Sequence, residues 1–398
     1  MTHHLTSCTR RQLLQQGLAL GAGLLPGSRL LAAPHAPPGR MILIFLRGGF
    51  DGLFAFAPTA DQRLASLRPT LAQQALENGI PLTGTGFSAH PAARELAELF
   101  AARELSFAAT TGTPDTSRSH FQAQDLFELG NGKPHGNSGL LARAQQALIG
   151  RAGPPALIAF TGNQPLILQG SDSPIEIAPL SGSGLKMRQD KALDAIRAMH
   201  GQQKSGSAIE QALSTQAEID AQQGMDAKAA RGAAGLNGFP GMAKTAAGML
   251  SANPRLSLAF IEFGGFDTHA GEENALARAL PQLGQGLLAL REGLGRREWQ
   301  RTQVLVCTEF GRTVRENGTQ GTDHGHGSLA LLAGGAIAGG RLLGGFDGLS
   351  DAALNEKRDL PVRVDWRSLI GQVLMDTQGF DWRTTQAVLP GIPGRQKD

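Results

Sequence analysis

Apolar residues in this chain gather into short unbroken runs, each closed by glycine or charge. The first, MILIFL at 41–46, stops at Arg47 and two glycines. LSFAAT at 105–110, ALIAF at 156–160, LSLAFIEF at 256–263 and QVLVCTEF at 303–310 repeat the pattern. Continuous apolar runs bounded by turn residues predict strands buried on both faces, as in a parallel sheet. Between them, HPAARELAELFAARE, NSGLLARAQQAL and ENALARALPQLGQGLLALREGL carry helical patterning, with Pro281 expected to bend or restart the last. Alternating strands and helices predict an α/β domain with helices on both faces of a mostly parallel central sheet.

The rhythm breaks between 164 and 250. QPLILQGSDSPIEIAPLSGSG reads as loop or short edge strands, and the Ala/Gln-rich stretch after it as polar helices with one apolar stripe each. We expect a helical insertion or cap on the main domain, either a lid over a cleft or a surface elaboration. LALLAGGAIAGGRLLGG, after 328, is apolar, but its glycines favour close packing and turns over a membrane span.

Composition alters the picture mainly at the N-terminus. Of 37 Lys and Arg, three (Arg10, Arg11 and Arg29) lie in residues 1–36, which hold no acid; 34 basic residues then face 34 acidic ones in the remainder. The basic balance is therefore a property of the leader, and a nucleic-acid partner is not expected. TRRQLLQ followed by a weak apolar stretch resembles a twin-arginine export signal, which predicts the twin-arginine machinery as partner and the periplasm as destination. Cleavage is expected between Ala32 and Ala36. The mature form, 37–398, is expected to have no stable membrane span; a Sec leader or a retained anchor is the alternative. Only Cys307 remains after the leader, in an apolar run that marks a buried small side chain.

In a parallel α/β sheet, ligands collect beyond the carboxyl ends of the strands. Asp51 follows the first run; Ser117, Arg118, Ser119 and His120 follow the second; Asp267 and His269 follow LSLAFIEF; Glu309, Arg312, Asp323, His324 and His326 follow the last. Oxygen and imidazole donors of this kind suit Zn, Mn, Mg or Ca. Spacings of two, as in Asp267/His269 and His324/His326, let both members of a pair face one point from a loop. Plainer roles stay open: Asp51 as a turn cap, His269 and His324 as buried hydrogen-bonding groups, Glu309 and Arg312 as an ion pair, Ser119 as a helix cap. The chain has no GxxxxGK[ST], HExxH or GxSxG motif, and no GxGxxG after its first mature strand.

Taken in order, FLRGGFDGL, TSRSHFQAQD, FGGFDTHAG, TEFGRT and NGTQGTDHGHG resemble the family called domain of unknown function 1501, itself similar to the alkaline phosphatase and sulfatase superfamily. The resemblance implies a three-layer α/β/α fold, divalent metal at strand ends and hydrolysis of phosphate or related esters. It implies metal ligation by Asp51, by Asp267 with His269, and by His324 or His326, with Glu309 at the position of a further ligand pair. Placement after the strand ends adds Asp323 to that set, with Ser119 or water as the candidate nucleophile and Arg118 or Arg312 stabilising negative charge. Glu309-Phe310 stands where that superfamily has an Asp-His pair, and no Cys lies near TPDTSRS, against a formylglycine mechanism. The expected function is an exported metal-dependent hydrolase acting on a small anionic ester. The alternative is an exported binding or assembly protein that keeps the fold without turnover.

Overall fold

The computed structural model describes residues 39–113, 115–149, 156–161, 165–171, 175–178 and 238–394. The predicted leader, 1–36, lies outside the described residues. In chain order the first half contains β1 (Arg40–Leu46), α1 (Gly52–Ala55), β2 (Phe56–Ala57), β3 (Ile80–Leu82), β4 (Phe87–Ala89), α2 (Arg94–Ala101), β5 (Leu105–Gly112), α3 (His120–Leu129) and α4 (Leu140–Leu148). Then come β6 (Ala156–Phe160), β7 (Ile175–Ala178), α5 (Phe239–Ala252), β8 (Leu256–Phe263), α6 (Glu272–Trp299), β9 (Thr302–Thr308) and β10 (Ser328–Ala333). The last elements are β11 (Leu342–Leu343), β12 (Val364–Asp365), α7 (Trp366–Gln378) and α8 (Trp382–Val388).

One nine-stranded sheet runs in the order β11-β5-β10-β9-β1-β8-β6-β7, with β12 also paired to β5. All five apolar runs read from the sequence lie in it. Pairing is parallel throughout except at β10, which is antiparallel to both β9 and β5. Ile42, Ile44 and Leu46 of β1 enter one core with α2, α5 and α6, while Met41, Leu43 and Phe45 enter a second with α3, α4, α7 and α8. Because both faces are covered, β1 has no polar face, and its unbroken apolar run follows. The result is the three-layer α/β/α architecture with a mostly parallel sheet.

Three local expectations need revision. The small-residue stretch after 328 begins as a central strand, β10, rather than as turns. The long helix α6 is continuous through Pro281; its non-helical residue is Gly295, with φ 69° and ψ 166°. Within 164–250, Ile175–Ala178 joins the sheet as an edge strand, one of the two readings of that stretch, whereas α5 packs along α6 as part of the core rather than as an added cap. Most of that span, 179–237 included, lies outside the described residues. No helix among the described residues is long and apolar enough to cross a membrane.

Strand direction explains why the sequence motifs meet. β1, β8 and β9 are parallel, so the segments after Leu46, Phe263 and Thr308 emerge at one edge. β10 runs opposite to β9 and to β5. The chain after β5, which leads to His120, and the chain before β10, which carries GTDHGHG, therefore reach that same edge.

Candidate metal centre

The loops at this edge are cross-tied by Arg312, which is 2% exposed. Its guanidinium donates to the carbonyls of Gly48, Gly49, Phe266 and Thr322, and at 2.7 Å to Asp267 Oδ1. Gly48, at φ 123°, passes so close to the next loop that a Cβ there would sit 2.4 Å from Asp267 N. Glycine is required at that crossing by both its conformation and the lack of space.

Asp267 is the hub of the site. His269 Nε2 lies 3.2 Å and His324 Nε2 3.6 Å from its Oδ1, and His120 Nε2 lies 3.6 Å from its Oδ2. His269 Nε2 and His324 Nε2 are 2.9 Å apart. One ligand atom each from His120, Asp267 and His324 falls within 4.8 Å of the others, the spacing of a shared ion. Burial raises the Asp267 carboxyl, but the Arg312 hydrogen bond and charge outweigh it and hold the group below its ordinary value. The side chain is half exposed, so solvent screens part of this effect.

Two histidines are oriented from behind. His120 Nδ1 donates to Glu309 Oε1 at 2.8 Å, and His324 Nδ1 donates to the Arg118 carbonyl at 2.9 Å. Each partner is an acceptor, so Nδ1 carries a proton in both rings, and Nε2 is the ring atom left on the Asp267 side for a cation to take when the ring is neutral. Glu309 is buried, which raises its carboxyl, yet hydrogen bonds from His120, Gln124 and the Gly48 backbone pull it below the usual range. The bond to Glu309 is the chief reason His120 is raised. Burial holds His324 below its ordinary value, with neighbouring positive groups adding to the effect, so its ring stays neutral. His269 is more exposed; Asn317 Nδ2 and Thr319 Oγ1 hold its carbonyl, and its Nδ1 lies 3.4 Å from Asp323 Oδ1.

The fit to an ion can be judged from these atoms. His120 Nε2 is buried and has no hydrogen-bond partner, although it faces a carboxylate and two further imidazoles. A cation among the Nε2 atoms and Asp267 satisfies all of these groups together. His120, His324 and Asp267 thus form a candidate ion site, with His269 beside them and Glu309 and the Arg118 carbonyl holding two of the rings.

Other candidates from the sequence are placed elsewhere. Asp51 is buried in an ion pair with Arg68 rather than set against the imidazoles, and it also caps α1 through Leu53 N. It faces Glu272, whose carboxyl is driven well above its usual value by burial and by the Asp51 charge. Glu272 holds Thr322 Oγ1 at 2.6 Å. His326 is turned to Asp359 at 2.9 Å rather than to Asp267. Glu309 supports His120 and is not paired with Arg312, and Asp323 reaches the cluster only through His269. Ser119 is the N-cap residue of α3 and makes no side-chain cap bond. Arg118 is engaged with Glu356 and Asp359.

Residues outside the sequence-derived ligand set prove central. His120 carried a signal, an imidazole opening a helix just past a strand end. Arg68, Glu272, Gln124 and Asp359 carried none, because their partners are remote in sequence.

A three-layer α/β/α protein with a His/Asp cluster at the strand-end edge is the class these observations define. The family model described as "Protein of unknown function (DUF1501)" matches residues 101–390, and the chain belongs to that family. Among solved structures, it is similar to Ps i-CgsB, crystallised in complex with k-i-k-neocarrahexaose. That match has 10% identity and a TM-score of 0.43, covering 88% of this chain and 74% of the other. It is also similar to a protein in the alkaline phosphatase superfamily from Vibrio parahaemolyticus, with 13% identity, a TM-score of 0.34, and coverage of 82% and 69%. No curated protein matches the sequence.

Proposed function

We propose that this chain is an exported metal-dependent hydrolase of phosphate or related esters, with its ion held by His120, Asp267, His269 and His324. The observation that carries the reading is the buried, unpartnered Nε2 of His120, directed at Asp267 beside two further imidazoles. Three nitrogens and one carboxylate favour Zn or Mn over Mg or Ca. When bound, a divalent ion supplies a Lewis acid that draws electron density from an ester oxygen. The chain's own groups do the rest. Glu309 and the Arg118 carbonyl fix two imidazole rings, Arg312 fixes the Asp267 carboxylate, and the half-exposed His269 and Asp267 leave the outer side of the cluster open to substrate. The first turn of α3 begins at His120 without a side-chain cap, which favours negative charge at the same mouth.

Assaying the full chain against a panel of phosphate and sulfate esters, with added Zn or Mn, tests the activity. Turnover that disappears in Asp267→Asn supports hydrolysis; ion binding without turnover of any ester contradicts it. One observation favours the second reading, an exported binding or assembly protein. Both nearby arginines, Arg118 and Arg312, are already occupied by protein partners, so neither is free to meet charge developing on a substrate. Export by the twin-arginine route belongs to the same proposal, supported by Thr9, Arg10 and Arg11 and the modest apolar stretch after them.

A further inference from the structure

Arg118, Glu356 and Lys357 have φ angles of 53°, 52° and 56° without being glycine. A left-handed residue bearing a side chain is disfavoured by the clash of its Cβ with the backbone, and it persists where surrounding contacts over-determine it. For Arg118 those contacts are specific. Nη2 donates to Glu356 Oε2 at 2.7 Å and lies 3.2 Å from Asp359 Oδ2, and Nε lies 3.3 Å from that second oxygen. Asp359 is fully buried, accepts from His326 Nδ1 and Asn355 Nδ2, and is bridged through its backbone to Thr313. The anchor is therefore built into the frame of the site. At the other end of the same residue, the Arg118 carbonyl accepts the Nδ1 proton of His324 at 2.9 Å.

We propose that Arg118 is a positioning residue: its clamp onto Glu356 and Asp359 fixes the left-handed backbone that aims its carbonyl at His324. The turn at 355–359 thereby sets the orientation of one imidazole in the cluster, an assignment that rests on the metal reading above. Arg118 so acts through its main chain, and its side chain is the tether.

The test uses the full chain, Co2+ as probe ion, and the variants Arg118→Ala, Arg118→Lys and Glu356→Ala. Glu356 is a surface residue, 63% exposed, so its truncation leaves the core intact. Positioning predicts that Arg118→Ala and Glu356→Ala each weaken Co2+ binding by about tenfold or more and change its visible spectrum. Glu356→Ala should keep the wild-type Tm, and Arg118→Lys should recover part of the loss. In metal-free protein, nitrogen NMR should show His324 as a single Nδ1–H tautomer in wild type and as a mixture in the two alanine variants. Wild-type affinity and spectrum in both variants, or a His324 tautomer that neither disturbs, overturns the proposal. If the wild-type chain takes up no Co2+, the metal reading fails, and the tautomer measurement alone decides the clamp: a mixture upholds it and an unchanged ring overturns it.

Discussion

His90 shows how far one buried ring departs from its exposed behaviour. It is 4% exposed, its Nδ1 accepts from Ala92 N, and its Nε2 has no partner. Burial lowers its pKa to about 4, against 6.5 for a free imidazole. Above pH 6.5 the ring is neutral in both folded and unfolded chains. As pH falls from 6.5 towards 4, only the unfolded chain gains the proton, so stability falls, by up to about 3 kcal/mol over that window. His90→Asn keeps an acceptor for Ala92 N and loses the titration. Urea melts at pH 7 and pH 4.5 should show wild type losing more stability than the variant; equal losses contradict the assignment. At the proposed ion site, Glu309→Gln should weaken Zn2+ binding by about 10–100-fold, since the amide can no longer hold His120 as a charged acceptor. A competition assay with a chromophoric chelator reads that change. Sequence showed Asp267, His269 and His324 at residue level, but not which of the paired candidates would converge. The chain bends at His326, sending that ring to Asp359 while His324 stays with the cluster. Asp51 departs from the expected ligand role for a similar reason: Arg68, its partner, is brought to it by the tertiary fold.

The element scale is where the sequence was most informative. Unbroken apolar runs arise because β1, β8 and β9 are buried on both faces, so the property that stabilises the sheet also makes its strands visible in the string. β10 is hard to read from the sequence because its short Leu/Ala run continues without a break into the Gly-rich stretch after it, although it is the antiparallel strand that carries the His324 loop to the right edge. Pro281 was a weak guide to helix α6, whose break lies instead at Gly295. The loops between elements bear the tightest constraints. Gly48→Ala would place a methyl against the Phe266–Asp267 backbone and force a side chain at φ 123°. Denaturant unfolding should show a loss of more than about 1 kcal/mol, with weaker ion binding because the Asp267 loop is displaced. A neutral effect on both would mean that the close approach of these loops does not govern the site.

For the whole molecule, sheet direction gathers groups from four sequence regions to one edge, and the proposed export route would carry them to the periplasm. Changing Arg10 and Arg11 to Lys should trap full-length precursor in the cytoplasm, because the export receptor reads the paired arginines. Fractionation that still finds processed protein in the periplasm rules out the twin-arginine route. The central claim, that His120, Asp267, His269 and His324 form an ion site, faces its most direct test in elemental analysis joined to equilibrium dialysis. Wild type, His120→Ala and His324→Ala should be purified without chelator and dialysed against Zn2+ or Mn2+. We expect about one ion per wild-type chain and little in either variant, with Asp51 unable to recruit a second ion because Arg68 already occupies it. Wild-type protein that binds no ion, or variants that bind as much as wild type, contradicts the account.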